Sequence, residues 1–155
     1  LDTLEASCQV VYDRAMEETK SLDGNRDQYF AWFNAGTSSV CLEDYVTAAK
    51  AYDEAFSIYP NIEDKRRPFR IMWYETGPYP AYYYTERYQD VIRLADQTLT
   101  RMADPVLEES YYWRGMAYNA LGDKTRAVQD FRASLKYHAG FKPALEIMKE
   151  LGVDP

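Results

Sequence analysis

Apolar and polar positions along this chain follow the period of a helix, and in two places the same stripe returns with the same spacing. In YYWRGMAYNALGDKTRAVQDFRASLKYH, residues 111–138, apolar or small residues fall at Tyr111, Gly115, Tyr118 and Leu121. At 3.6 residues per turn these share one helical face. Gly122 supplies a stop, Asp123 an N-cap, and a second stripe follows at Ala127, Val128, Phe131 and Leu135. The pattern predicts two amphipathic helices joined by a short turn. WFNAGTSSVCLEDYVTAAKAYDEAFSIYP, residues 32–60, predicts the same hairpin: Gly36 precedes Ala48 by twelve residues, as Gly115 precedes Ala127. Tyr52 and Phe131 then follow the alanines by four, and Ala55 and Ser134 by seven.

Between the two lies WYETGPYPAYYYTERYQD, residues 73–90, with six tyrosines broken by Gly77, Pro78 and Pro80. Aligned with the first hairpin, it puts Tyr79 in the glycine place, Val91 opposite Ala48, Ala95 opposite Tyr52 and Thr98 opposite Ala55. Large and small residues are exchanged, so this is a degenerate copy. Its first helix is expected over Trp73–Tyr84, kinked or split by the prolines. Ala48 and Val91 are 43 residues apart, which requires an insertion at Asn61–Pro68 or at GPYP. Residues 4–23 form one amphipathic stripe, with Cys8, Tyr12 and Ala15 spaced like Ala48, Tyr52 and Ala55. Lys142-Pro143 opens a last helix that Gly152 stops.

The two regular hairpins resemble the tetratricopeptide repeat, a 34-residue helix–turn–helix unit. Its signature places are held by Trp32, Gly36, Ala48, Tyr52, Ala55 and Pro60, and again by Tyr111, Gly115, Ala127, Phe131 and Ser134. Ala139 stands where a closing proline is usual. The resemblance implies an all-α fold, a short α-α solenoid of about three tetratricopeptide-like hairpins with an irregular middle one and flanking helices. Expected boundaries within a single domain, 1–155, are an N-terminal helix at 1–23, repeats at 28–60, 66–103 and 105–139, and a capping helix at 142–152. It also implies a concave groove that binds a protein or peptide. The family's groove places fall on Phe30, Phe33, Thr37, Val40 and Cys41, then Trp73, Thr76, Pro80, Tyr83 and Tyr84, then Glu109, Tyr112, Met116, Asn119 and Ala120. Of the six clustered tyrosines, about two are expected to face a ligand and the rest to fill core. Tyr82 should point inward beside Leu94 and Ala95, and Tyr79 and Tyr88 should lie where helices meet. The Lys, Arg and Asn set with which some of these repeats clamp a chaperone's C-terminal carboxylate is absent. Phe33, Thr37, Gly77, Glu109 and Trp113 stand at or near those places.

Composition narrows the functions. A net charge of −7 over 155 residues argues against nucleic acid, since phosphate neutralisation needs clustered Lys and Arg. The one basic run, Asp64–Arg70, is short, has acidic neighbours, and is expected to be solvated linker. No apolar stretch approaches the ~20 residues of a membrane span. The chain opens on Leu1 without a charged-then-apolar leader, so it is expected to be a piece of a longer protein. Two cysteines, Cys8 and Cys41, lack metal-ligand spacing and make no disulfide framework; whether they pair with each other stays open. Glu17-Glu18 and Glu108-Glu109 are adjacent on helices, so their side chains diverge by about 100° and share no substrate. Cys41 has no histidine partner, and the single histidine, His138, is expected at helix C-terminal carbonyls.

The segments IMWYETGPYPAYYYTERYQDVI and LEESYYWRGMAYNALGD also resemble C-terminal repeat segments of bacterial exported multidomain proteins, which favours an extracytoplasmic place. The expected function is a non-catalytic binding scaffold with an aromatic groove and no cofactor or metal. The alternative is a structural spacer docking a neighbouring domain of the parent chain.

Overall fold

A computed structural model of the protein describes residues 3–21, 26–58, 71–101 and 107–155. Among these, the regular structure is eight α-helices and one short 3-10 turn, with no strand. The helices are α1 (Thr3–Ser21), α2 (Arg26–Cys41), α3 (Tyr45–Ile58), α4 (Pro78–Tyr84), α5 (Tyr88–Thr100), α6 (Glu108–Ala120), α7 (Lys124–Tyr137) and α8 (Lys142–Glu150); the 3-10 turn is Ile71–Trp73. The all-α, helical-hairpin class is the one expected. Two compact units form, Leu1–Thr85 and Glu86–Pro155. The division falls inside the span 66–103, so α4 and α5 belong to different units. Pro60, the linker Asn61–Pro68 and the basic run Asp64–Arg70 lie outside the described residues.

The signature glycines are explained by the rings they face. A Cβ on Gly36 would lie 2.7 Å from the Tyr52 ring, and one on Gly115 would lie 2.8 Å from the Phe131 ring. Real Cβ atoms do not approach that closely, so each glycine is a seat for the aromatic sixteen residues on. Ala48, Ala55 and Ala127, on the same helices as these rings, are buried, as small residues at a close helix crossing should be. Turn geometry repeats as well. Glu43, Glu86 and Gly122, each seven residues past the glycine place, all have positive φ, at 57°, 60° and 85°. Asp44 and Asp123 follow as caps, accepting from the backbone N–H of Thr47 and Arg126 at 3.0 Å. The Thr47 hydroxyl and backbone N–H hold the Asp44 carboxyl below the usual range, and the Arg126 backbone N–H and guanidinium do the same for Asp123.

In the first unit α1 lies on the α2–α3 hairpin through Ala15, Ala35 and Ala51, with Tyr12, Met16 and Trp32 packed around them. Cys8 of α1 and Cys41 at the end of α2 are joined by a disulfide.

The expected helix over Trp73–Tyr84 requires correction. The 3-10 turn ends at Trp73, residues 74–77 are irregular, and α4 begins at Pro78. Pro78 and Pro80 fall in the first turn of α4, where backbone N–H groups have no intrahelical partner, so they start a helix rather than kink one. Gly77 is held to glycine by proximity: an added Cβ would collide with the Tyr52 hydroxyl and touch Val40. Gly77→Ala should therefore cost about 1–3 kcal/mol by overpacking. Gly140, with nothing nearer than 4.0 Å, is the control, and Gly140→Ala should stay within about 0.5 kcal/mol. Urea denaturation followed by helical circular dichroism compares the two, and equal midpoints would mean that the Tyr52 phenol has room to move.

In the second unit α7 and α8 enclose Ala127, Phe131, Leu135, Ala144 and Met148. Arg114 of α6 bonds both carboxylate oxygens of Asp130 on α7, at 2.8 and 2.7 Å, and Asp96 of α5 at 2.6 Å. His138 departs from expectation. Its Nδ1 lies 3.4 Å from Glu108 and its ring packs by Phe141, the residue having already left helical geometry at φ −144° and ψ 84°.

Candidate binding surface

The residues expected to line one groove divide between the units. Phe30, Phe33, Thr37, Trp73, Tyr83 and Tyr84 belong to Leu1–Thr85; Tyr112, Met116 and Asn119 belong to Glu86–Pro155.

In the first unit Phe33 requires correction. It is 1% exposed, and its ring packs against Tyr29, Tyr52 and Phe56 at centroid distances of 5.9, 4.9 and 6.3 Å. A ligand could touch it only by opening the core. Thr37 is half-buried and its hydroxyl meets the Tyr52 hydroxyl at 3.2 Å, so it braces the ring seated on Gly36. Burial pushes the Tyr52 phenol pKa far up despite that bond. Phe30 is half-buried, edge-on to Tyr29, with the Arg26 guanidinium 5.5 Å from its ring centre. Trp73 ends the 3-10 turn half-buried.

The tyrosines of 73–90 separate by helix face. Tyr79 and Tyr82 are buried, Tyr83 and Tyr88 half-buried. Tyr82 is buried, and its hydroxyl donates to Asp53 of α3 at 3.0 Å. Tyr84 is 56% exposed. Tyr74, counted among the core-fillers, is 82% exposed; it lies in the irregular stretch before α4, where no helical face turns it inward.

Tyr84 belongs to a small aromatic cluster. Its ring lies 4.6 Å from that of Tyr45 at 36°, and Tyr83 meets it edge-on at 5.3 Å. Tyr45 was not singled out in the sequence, because it opens α3 directly after the turn. The signal was available: it stands seventy-nine residues before Lys124, at the first position of the matching helix, where a solvated side chain is the norm. Partial burial, Tyr84 and Glu43 together raise the Tyr45 phenol pKa.

In the second unit Tyr112 is half-buried, with its ring shared among Trp113, Phe131 and Phe141 at 5.2, 6.1 and 5.5 Å. Met116 packs on the same core, and Asn119 is half-buried near the end of α6. Tyr112 and Met116 thus pack on the core that α7 and α8 enclose.

Among the described residues Glu17 pairs with Lys20 and Glu18 with Arg14, while Glu108 lies 3.4 Å from His138 Nδ1. No described helix is long and apolar enough to cross a membrane.

Residues 108–138 match the family model of the tetratricopeptide repeat. Among curated proteins none matches the chain. The matched stretch runs through α6, the left-handed turn at Gly122 and α7, the hairpin in which Gly115 seats Phe131. Such repeats mediate protein–protein interaction and are typically non-catalytic. The α6–α7 hairpin is a tetratricopeptide repeat, carried in an all-α chain of helical hairpins.

Proposed function

We propose that this chain is a non-catalytic module that binds a protein or peptide segment through the tyrosine cluster of its first unit, Tyr45, Tyr83 and Tyr84, with Trp73 as a neighbouring anchor on the same stretch of chain. The observation that carries the reading is the exposed Tyr84 ring laid on Tyr45 at 4.6 Å. Tyrosine buries a large area at small entropic cost and keeps a polar tip, which suits a recognition anchor. The places given by the family to Phe33, Thr37, Tyr112 and Met116 are occupied by packing, so the ligand surface is smaller than a full groove. The partner contributes the chemistry of recognition only; no cofactor, metal or nucleic acid enters the reading.

A second reading, an accessory module docked on a neighbouring domain, is supported by α1, whose Leu4, Val10 and Val11 are exposed. The Cys8–Cys41 disulfide supports an oxidising, extracytoplasmic compartment for either reading.

Selection from a peptide-display library tests the first reading, with Tyr83→Ala/Tyr84→Ala as the control. Enriched peptides should lose at least tenfold in affinity in the double variant while its helical spectrum stays unchanged. Absence of enrichment from folded protein would move the weight to domain docking.

A further inference from the structure

Three helices hold the same place in the repeat spacing. Ala48, Tyr52 and Ala55 of α3 are spaced like Ala127, Phe131 and Ser134 of α7, and Cys8, Tyr12 and Ala15 of α1 repeat that spacing. Both α3 and α7 lie against the helix before them. Gly36 of α2 stands at the Tyr52 ring, and Gly115 of α6 at the Phe131 ring. Three residues past the first alanine, Ala51 clusters with Ala35 of α2, and Asp130 accepts both bonds of the Arg114 fork on α6. These places are closed: Ala51 is 2% exposed and Asp130 5%.

On α1 the matching place is open. Val11, three residues past Cys8, is 50% exposed. Tyr12 is half-buried where Tyr52 and Phe131 are fully buried. Among the described residues no helix precedes α1. The neighbouring edge of α1 is covered, since Ala15 and Thr19 are buried and Ala15 clusters with Ala35 of α2. Beside Val11 runs a groove of about 310 Å³, lined further by Arg14, Ala15 and Glu18 of α1 and by Asn34 of α2. Arg14 and Glu18 pair with each other at 3.0 Å, so the groove suits an uncharged occupant. Leu4, seven residues before Val11 and on the same helical face, is also exposed. The result is an apolar stripe continuous with the α1–α2 packing, in the register where α3 and α7 each receive a helix.

We propose that this stripe is a helix-docking surface. Its occupant is an amphipathic α-helix of a partner protein, laid along Leu4 and Val11 with a glycine or alanine at Tyr12 and a small uncharged residue at Val11. A second copy of this chain has no such glycine to offer, because Gly36 and Gly115 already seat Tyr52 and Phe131. The proposal goes beyond the tyrosine-cluster reading and gives the docking reading its occupant.

Selection on the full, disulfide-bonded chain, from a display library of peptides held helical over about four turns, tests it. Enriched sequences should be amphipathic and share a glycine or alanine. Val11→Glu should weaken their binding about tenfold or more, as loss of a central apolar contact does. Helical spectrum and Tm should not change in that variant, because Val11 is exposed. Tyr83→Ala/Tyr84→Ala should leave the affinity of these peptides as it was. Peptides indifferent to Val11→Glu overturn the proposal. Self-association of the chain that Val11→Glu abolishes in sedimentation equilibrium overturns it too, by making a second copy the occupant. No enrichment overturns the helix seat and leaves docking to a partner without a helix, while the tyrosine-cluster reading is decided by its own selection.

Discussion

Arg114→Ala should be among the most damaging single substitutions in the second unit, at about 3–5 kcal/mol. The guanidinium is 20% exposed and its carboxylate partner Asp130 only 7%, so removing the arginine leaves a buried charge without its bidentate partner. Burial opposes the charge on Arg114, but the bonds from Asp130 and Asp96 more than offset it and raise its pKa. The first unit shows what else these two places can hold. Counted back by the repeat spacing, Arg114 and Asp130 correspond to Ala35 and Ala51, both buried against α1. The double variant Arg114→Ala/Asp130→Ala should therefore be less destabilised than Arg114→Ala alone, the signature of a coupled pair. Urea denaturation followed by helical circular dichroism supplies the cycle. A single variant losing under about 1 kcal/mol would show that water reaches Asp130.

The second large effect is expected at the disulfide. It closes a loop across a sequence separation of 33, for which chain-entropy arguments give about 4 kcal/mol. Its role is local as well as global. From Thr3 to Arg14 no residue of α1 is buried, and its buried contacts come only later, at Ala15 and Thr19. The bond from Cys8 thus secures a half-helix that apolar packing holds poorly. In Cys8→Ser/Cys41→Ser, amides of residues 3–14 should lose most of their hydrogen-exchange protection, while those of α2 and α3 keep theirs near the reduced global limit. Unchanged protection across 3–14 would mean that Tyr12 and Met16 suffice to hold the whole helix.

What could be read from the sequence was whatever depends on spacing along one helix. The Gly36–Ala48–Tyr52 and Gly115–Ala127–Phe131 patterns located two hairpins, because a ring needs a vacancy sixteen residues away and a small neighbour at the crossing. Gly122 and Asp123 marked stop and cap for the same local reason. What depends on a third element was hidden. Phe33 lies on the face of α2 that periodicity can identify, but only Tyr29, Tyr52 and Phe56 together decide that nothing remains exposed. Gly77 reads as a helix breaker, yet its identity is required by the tip of Tyr52. Pro78 and Pro80 disrupt a helix that continues through them and suit one that starts there, and the sequence alone does not say which. The pairing of Cys8 with Cys41 needed the lateral position of α1, which spacing within α1 does not contain. Tyr45 escaped notice because a first helical position is normally solvated.

The seat-and-ring arrangement also bears on how this sequence can evolve. One large and one small residue occupy the two places in both regular hairpins: Gly36 with Tyr52 and Gly115 with Phe131. Within each pair the ring takes the room that the glycine leaves. A scan of single substitutions would score all these positions as intolerant, since enlarging the glycine overfills the core and shrinking the ring empties it. Drift can pass only by correlated steps. Such positions form an epistatic couple.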